Sequence, residues 1–249
     1  ELKGMKKIYW FILLLVIAIL IVTSLCFVKQ EINYSNMSLK EIPCIVFKKE
    51  VKHLDLSFNE IEDISEIGKM ENLEYLDISH NPITNCSVIS SLNELKTLKI
   101  ASVGEILNGG ISDISFLSNN TNLEDLNISY NQLENIDELR NLKQLRRFSM
   151  LNNMAVSDIS VLENFIDLEE ILLVTPFVTD YSCLAKLNKL KSITIEGMPY
   201  EDLILRMKPH NSRSYIHYQP YNHHYSLLYM KIPGRLVIIL ILHSELFVF

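Results

Sequence analysis

Short polar residues recur at fixed positions along the middle of the chain, and their spacing suggests a specific hydrogen-bonding role. Just before the second half of five copies of a repeated unit, an aspartate or asparagine is followed two residues later by a serine: Asp63/Ser65, Asn85/Ser87, Asp113/Ser115, Asp158/Ser160 and Asp180/Ser182. A short oxygen acceptor at such a position caps the free amide groups at the start of a one-turn helix. The spacing therefore predicts structural hydrogen bonds, and we assign these carboxylates no acid–base role.

Histidines and cysteines are the other candidates for chemistry. His210, His217, His223 and His224 cluster near the C-terminus among tyrosines, but their spacing matches no metal-ligand motif. The four cysteines form no CxxC pair and no metal-ligand spacing. We therefore expect no cofactor, no metal site and no enzymatic activity.

The overall composition limits the class of partner. The formal net charge is −7, whereas surfaces that bind nucleic acid are usually basic. Hydrophobic residues make up 48% of the chain, and many of them lie in segments near its two ends. We expect no nucleic-acid partner.

The elements that must position the polar residues are copies of one repeated unit. In the copy that begins at Leu123, apolar residues follow at offsets +3 (Leu126) and +5 (Ile128). Seven copies begin at Val51, Leu73, Leu95, Leu123, Leu145, Leu168 and Leu190, separated by 22, 22, 28, 22, 23 and 22 residues. Such a period is typical of a solenoid, and the +3/+5 alternation predicts a strand with one buried face. One copy buries too little to offset its ordering entropy, so the copies must stack.

An asparagine occupies offset +8 in four copies, as Asn59, Asn81, Asn131 and Asn153. A buried side-chain amide offers two donor hydrogens and one acceptor oxygen. We therefore expect each asparagine to bond the backbone of its own coil and of an adjacent coil.

Four regions follow from this pattern: a leader (1–28), a polar tether with an N-terminal cap (29–50), seven repeats (51–199), and a C-terminal cap with a tail (200–249). Lys6 and Lys7 precede an uncharged run, residues 8–28, which is long enough to span a bilayer as a helix. The lysines favour a cytoplasmic N-terminus. An uncleaved membrane anchor, a cleaved signal peptide and a lipidated Cys26 are all compatible with the leader. In the tail, the apolar run 236–242 is compatible with an edge strand, an interfacial segment or a poorly ordered end.

The pattern LxxLxLSxNxIxDIS, present from Val51 and again from Leu73, resembles a leucine-rich repeat of the short class, about 22 residues long. Bacterial internalins and leucine-rich regulatory subunits of protein phosphatase carry this class. The resemblance covers residues 51–199 and implies an α/β solenoid. In it, a parallel sheet lies on the concave side, and 3-10 or short helical turns lie on the convex side.

Side chains that flank the +3 and +5 positions are expected to face solvent on the concave side. Eleven form the candidate partner-binding surface: Tyr75, Asp77, Lys99, Asp125, Asn127, Arg147, Ser149, Leu151, Glu170, Leu172 and Val174. Leu151, Leu172 and Val174 are predicted to form an exposed apolar cluster with a charged rim, which is typical of an anchor site. The alternative is that Leu151 and Val174 are covered by the loop carrying Pro176 and Phe177, or by the tail.

Three functional hypotheses differ in class. The first is an exported module, tethered to the cell membrane by its N-terminal segment or secreted, that binds a protein or less favourably a glycan through its concave face. The second is an intracellular scaffold like the phosphatase regulators, which the apolar leader contradicts. The third is an enzyme that uses the histidine-rich tail, but no nucleophile–base arrangement supports it.

Overall fold

The computed structural model describes residues 12–17, 30–46, 48–102, 110–174, 177–196, 215–220, 225–232 and 235–242. Within residues 30–196 the chain repeats one coil, a short strand followed by a 3-10 helix. The strands are β1 (Glu31–Asn33), β2 (His53–Asp55), β3 (Tyr75–Asp77), β4 (Thr97–Lys99), β5 (Asp125–Asn127), β6 (Arg147–Met150), β7 (Glu170–Leu173) and β8 (Ser192–Glu196). The 3-10 helices are η1 (Lys48–Glu50), η2 (Ser65–Lys69), η3 (Ser87–Ser91), η4 (Ser115–Asn119), η5 (Asp137–Asn141), η6 (Ser160–Asn164) and η7 (Ser182–Lys186).

Strands β1 to β8 lie in chain order in one sheet, each parallel to the next. Residues of equal offset stand opposite one another, as Leu54 does with Leu76 and Leu98 with Leu126. This register confirms the predicted solenoid, with its parallel sheet on one side and its 3-10 turns on the other.

The apolar offsets form continuous rows inside the stack. Leu54, Leu76, Leu98 and Leu126 at +3 are completely buried. In the fifth copy a larger residue, Phe148, takes this place, and its ring meets that of Phe165 edge to face with centroids 5.7 Å apart. Burying each such side chain contributes roughly 1.5–3 kcal/mol, so the rows drive the coils together.

The predicted asparagine ladder is present and joins consecutive coils. Asn131 Nδ2 donates to the backbone oxygen of Ile128 in its own coil and to that of Ile100 in the preceding coil, both at 2.9 Å. Its Oδ1 accepts from Ile111 N at 3.0 Å. The same pattern of own-coil and preceding-coil bonds is made by Asn59, Asn81 and Asn153.

The short acceptors cap the 3-10 helices as predicted. Asp63 Oδ1 accepts from the backbone N–H of Ser65, the first residue of η2, at 2.8 Å. Asn85, Asp113, Asp158 and Asp180 accept in the same way from the serines two residues on. The bonds from Ser182 lower the pKa of Asp180, because they favour its charged form.

A column of alternating charge runs beside the sheet at offset +1, which the sequence analysis did not detect. Its members in coil order are Lys52, Glu74, Lys96, Glu124, Arg146, Glu169 and Lys191. Lys52 Nζ and Lys96 Nζ lie 2.7 Å and 2.6 Å from the two carboxylate oxygens of Glu74. These hydrogen bonds hold the pKa of Glu74 down at about 2. Acidic and basic side chains at offset +1 therefore alternate from one coil to the next along the array.

The N-terminal region differs from the predicted tether. β1 pairs in parallel with β2, and Ile32 stands opposite Leu54 in the +3 row. Tyr34 and Leu39 pack against the core, so this region is an additional half-coil. Only the inward side chain of β1, that of Ile32, needs to be apolar. Because its neighbours Glu31 and Asn33 are charged and polar, the repeat pattern was not recognised in the sequence.

The C-terminal strands extend the same sheet. They are β9 (Tyr215–Pro220), β10 (Tyr225–Ile232) and β11 (Arg235–Leu242). β11 is parallel to β8 on one side and antiparallel to β10 on the other, and β10 also pairs with β9. The apolar run 236–242 is therefore an internal strand, which none of the three options for it anticipated. The C-terminal cap was expected to begin at residue 200, and residues 200–214 lie outside the described residues.

Most of the leader also lies outside the described residues. Residues 12–17 are helical, and their side chains are exposed. Among the residues that the structure describes, no helix has both the length and the hydrophobicity needed to cross a membrane.

Candidate functional site: the concave sheet surface

The concave surface is formed by side chains at offsets +2 and +4, which alternate with the buried +3 and +5 rows. Nine of the eleven predicted residues lie there. At +2 are Tyr75, Asp125, Arg147 and Glu170, and at +4 are Asp77, Lys99, Asn127, Ser149 and Leu172. All of these are exposed or half-buried except Asp77, which is buried beneath its neighbours Tyr75 and Lys99.

Offset +6 does not belong to this surface, which corrects the prediction for Val174 and Leu151. Val174 is buried and Leu151 is half-buried, whereas Leu172 at +4 is exposed. The three residues therefore do not form one exposed apolar cluster. Phe177, expected to cover them in the alternative, is itself 64% exposed.

The backbone conformation at the end of the strand explains why the alternation does not extend to offset +6. The residue at +7 takes a left-handed backbone conformation in most coils, with φ of 56° at Phe58 and 58° at Tyr130. This turn ends the strand alternation, and the +6 side chains of Ser57, Ser79 and Ser129 are buried. The hydroxyl of Ser129 accepts a hydrogen bond from Leu151 N at 3.1 Å in the following coil. The +6 residues therefore have a structural role.

The N-terminal half of the surface is a connected aromatic and charged cluster. The rings of His53 and Tyr75 stack with centroids 3.8 Å apart and an interplanar angle of 2°. Tyr75 Oη donates to Asp77 Oδ2 at 3.4 Å and accepts from Lys99 Nζ at 3.1 Å. Burial, together with the nearby aspartates, raises the pKa of Tyr75. Because its members fix one another, the cluster offers a preorganised surface.

The central strands carry a second group of pairs. Arg147 Nε donates to Asp125 Oδ2 at 2.9 Å across β5 and β6, and this bond raises the pKa of Arg147. The Ser149 hydroxyl shares a 2.8 Å hydrogen bond with that of Ser129. Glu170 is exposed on the next strand, beside Leu172. The arrangement suits polar and ionic contacts around an exposed leucine.

The described part of the chain offers no group of three or more His, Cys, Asp or Glu that could hold a metal ion. Burial raises the pKa of Cys86 and of Cys183 to about 12. Both thiols are therefore protonated at neutral pH, which removes their nucleophilic form. Cys44 is exposed.

Residues at +7 form a border of the surface that the sequence analysis did not select. Phe58 is 57% exposed and stacks on His80 with ring centroids 4.1 Å apart. Tyr130 also occupies offset +7, two coils after His80 and three coils after Phe58, and it is also exposed. The recurrence of aromatic rings at one offset was visible in the sequence, but their exposure depends on the left-handed backbone.

Comparison with known proteins agrees with this architecture. Residues 49–91 and 121–164 match the family described as Leucine Rich repeats (2 copies). The chain is similar to the crystal structure of internalin C2 from Listeria monocytogenes, with 26% identity and a TM-score of 0.62. That match covers 71% of this chain and 76% of that one. None of the curated proteins compared with the chain matches it.

A second similar structure is the internalin InlF from the same organism, with 28% identity and a TM-score of 0.55. The match covers 66% of this chain and 49% of that one, so the chain spans about half the length of this relative. The resemblance predicted from the repeat residues is confirmed by these matches.

Proposed function

We propose that this internalin-like leucine-rich repeat chain is an exported, non-enzymatic interaction module that binds a protein partner through its concave face. The main support is the row of outward side chains at +2 and +4 on eight adjacent parallel strands. With strands about 4.8 Å apart, the row extends about 34 Å, comparable to a standard protein–protein footprint.

A protein is favoured over a glycan as the partner. The central surface combines the Arg147–Asp125 pair with exposed Leu172 and Glu170, and interfaces between proteins use such an apolar anchor within a polar rim. The rings of His53 and Tyr75 cover each other, and Lys99 Nζ lies 5.3 Å from the centroid of the Tyr75 ring, so the Tyr75 ring offers little open face for stacking on a sugar. A glycan is the second candidate partner.

The test of binding is capture from cell-surface extracts with the full chain as bait, followed by identification of retained proteins by mass spectrometry. We expect one protein to be retained by the native chain and lost with a concave-face variant. Capture that is unchanged in such variants would contradict binding through this face.

Export with membrane tethering is the second part of the proposal, and it rests on the sequence. Lys6 and Lys7 before the uncharged run 8–28 favour a cytoplasmic N-terminus, which places the repeats outside the membrane. Fractionation of cells that express the native chain tests this. Recovery in the membrane or the medium is expected, whereas recovery in the cytosol would favour the intracellular scaffold.

A further inference from the structure

Exposed apolar side chains are concentrated on one edge of the coil stack. We use the term ascending segment for the residues at offsets +6 to +12 of a coil, which lie between its strand and the following 3-10 helix; the segment is longer where a copy has inserted residues. Among the described residues of 30–196, eight large apolar side chains are exposed, and five of them lie in ascending segments. These five, with His80 stacked on Phe58, form the edge stripe: Met37, Phe58, His80, Tyr130, Met154 and Phe177.

The edge stripe carries an exposed apolar side chain in five of the seven coils that it spans and the half-buried His80 in a sixth. This is not the pattern of scattered surface leucines. Phe58, Met154 and Phe177 are 57%, 53% and 64% exposed. Exposed apolar side chains that are grouped on one side of a domain often mark contact surfaces. Aromatic residues and methionine are also enriched at the centres of protein interfaces.

The charge beside the edge stripe has one sign. The described ascending segments are residues 35–41, 57–63, 79–85, 101–102, 110–113, 129–135, 151–158, 174 and 177–180. They contain one basic residue, Lys40, and eight acidic residues: Glu41, Glu60, Glu62, Asp63, Asp113, Glu134, Asp158 and Asp180. Lys40 forms a single long pair, 3.8 Å from Glu60, in which both side chains are mostly exposed.

On the opposite side of the coils, acidic and basic residues are equal in number. The excess of negative charge is therefore specific to the edge that carries the ascending segments. The segments from each 3-10 helix to the next strand contain eleven acidic and eleven basic residues; their ranges are 48–52, 65–74, 87–96, 115–124, 137–146, 160–169 and 182–191. Many of those charges form pairs, such as Lys52 with Glu74 and Arg146 with Glu169. On the ascending side, four of the eight carboxylates also accept the cap hydrogen bonds of the 3-10 helices. Only Glu60 forms an ion pair found in the described residues, so the net negative charge is not neutralised.

We propose that the edge stripe is a second interaction surface, which docks an extended basic polypeptide segment with alternating apolar and cationic side chains. The aromatic and methionine side chains bind its apolar residues, while the flanking carboxylates attract its lysines or arginines. The acidic surroundings repel an anionic lipid surface by the same electrostatics. This surface is distinct from the concave face, so it does not depend on the function proposed above.

The dimensions of the edge stripe set the length of the docked segment. From the coil of Met37 to the coil of Phe177 there are six steps of about 4.8 Å, or about 29 Å. An extended chain advances about 3.3 Å per residue, so about nine residues cover the stripe. A peptide of nine residues that alternates lysine and leucine is therefore the probe.

The test measures binding of this labelled peptide to the full chain by fluorescence anisotropy, beside a matched peptide of alternating glutamate and leucine. We expect the lysine peptide to bind, the glutamate peptide not to bind, and the affinity to fall as salt is raised. Phe58→Ala with Tyr130→Ala should weaken binding at least about tenfold. Glu60→Lys with Glu134→Lys should do the same without removing any apolar side chain.

Matched control variants on the opposite side are Ile166→Ala and Glu94→Lys, since both residues are exposed there. They should leave the affinity within about twofold, as should Leu172→Glu on the concave face. Failure of the lysine peptide to bind, or equal binding by edge and control variants, would overturn the proposal. So would a preference for vesicles containing phosphatidylserine that depends on Phe58 and Tyr130, because the occupant would then be a membrane.

Discussion

The side-chain amide of Asn131 donates a 2.9 Å hydrogen bond to the backbone oxygen of Ile100, one coil earlier in the stack. The same amide also bonds Ile128, and its oxygen accepts from Ile111 N. One buried side chain thus satisfies backbone groups of two coils that would otherwise be unpaired and cut off from water.

Replacing Asn131 by alanine should destabilise the protein by about 2–4 kcal/mol, because several buried backbone groups lose their partners at once. Urea denaturation followed by circular dichroism measures the change. Asn141→Ala is the control, since Asn141 is exposed, and it should alter the unfolding free energy by less than about 0.5 kcal/mol. Equal effects of the two substitutions would contradict the role of the ladder.

Replacing Leu172 by glutamate should weaken partner capture at least about tenfold, because a charge would occupy the exposed apolar point of the concave face. The circular dichroism spectrum should not change, since the side chain is outside the core. Ile166→Glu makes the same chemical change on the convex side and should leave capture intact. Retained capture by the Leu172 variant would show that the partner binds elsewhere.

Replacing Glu74 by glutamine should remove the pH dependence that this carboxylate contributes. Lys52 and Lys96 hold its folded-state pKa at about 2, below the ordinary value of 4.5. Because the folded-state pKa is depressed, the stabilisation is complete above about pH 4.5 and is lost as the pH falls toward about 2. At neutral pH and low salt, the variant should be less stable by about 0.5–1 kcal/mol, as expected for exposed ion pairs.

The difference between the Glu74 variant and the native chain should vanish near pH 2 and shrink in high salt. Denaturation at several pH values and salt concentrations measures it. Glu62→Gln is the control, because Glu62 is exposed and forms none of the ion pairs found in the described residues. A destabilisation that persists unchanged at acid pH would exclude the charge column as its cause.

Thiol labelling should separate Cys44 from Cys86 and Cys183. Cys44 is exposed, whereas burial raises the pKa of the other two thiols to about 12. In the native protein at pH 8, iodoacetamide should label Cys44 at least about a hundredfold faster, because the thiolate is the reacting form. Peptide mapping by mass spectrometry assigns the labelled sites, and prior unfolding in urea should equalise the rates.

Periodicity alone was sufficient to predict the strands, the buried rows and the hydrogen-bonding asparagines. The same rule of alternation failed at Val174, which is buried. In four other coils the residue after offset +6 has a left-handed backbone conformation and ends the strand alternation. Phe58, His80, Tyr130 and Asn152 adopt this conformation without being glycines, so no residue type marked it in advance. The concave positions from Tyr75 to Leu172 followed from alternation, but their mutual pairs depend on side-chain rotamers.

The two ends of the array were harder to predict than its middle. β1 keeps Ile32 and Tyr34 in phase with the repeat, but polar neighbours hide the pattern. β9 to β11 follow no repeat period, since antiparallel pairing between them is set by contacts between segments rather than by coil geometry.

The common register of β1 with β2 and of β2 with β3 makes the length of the array adjustable in whole coils. Excision of residues 51–72 would remove one complete turn and bring Asn81 to the place where Asn59 now bonds Tyr34. Recombination between copies can therefore shorten or extend the reach of the protein while the buried rows stay in register. Loss of one internal coil would place like charges side by side in the column at offset +1, as Lys52 and Lys96 would be without the coil of Glu74. A lineage of such chains would vary its span in steps of one strand spacing.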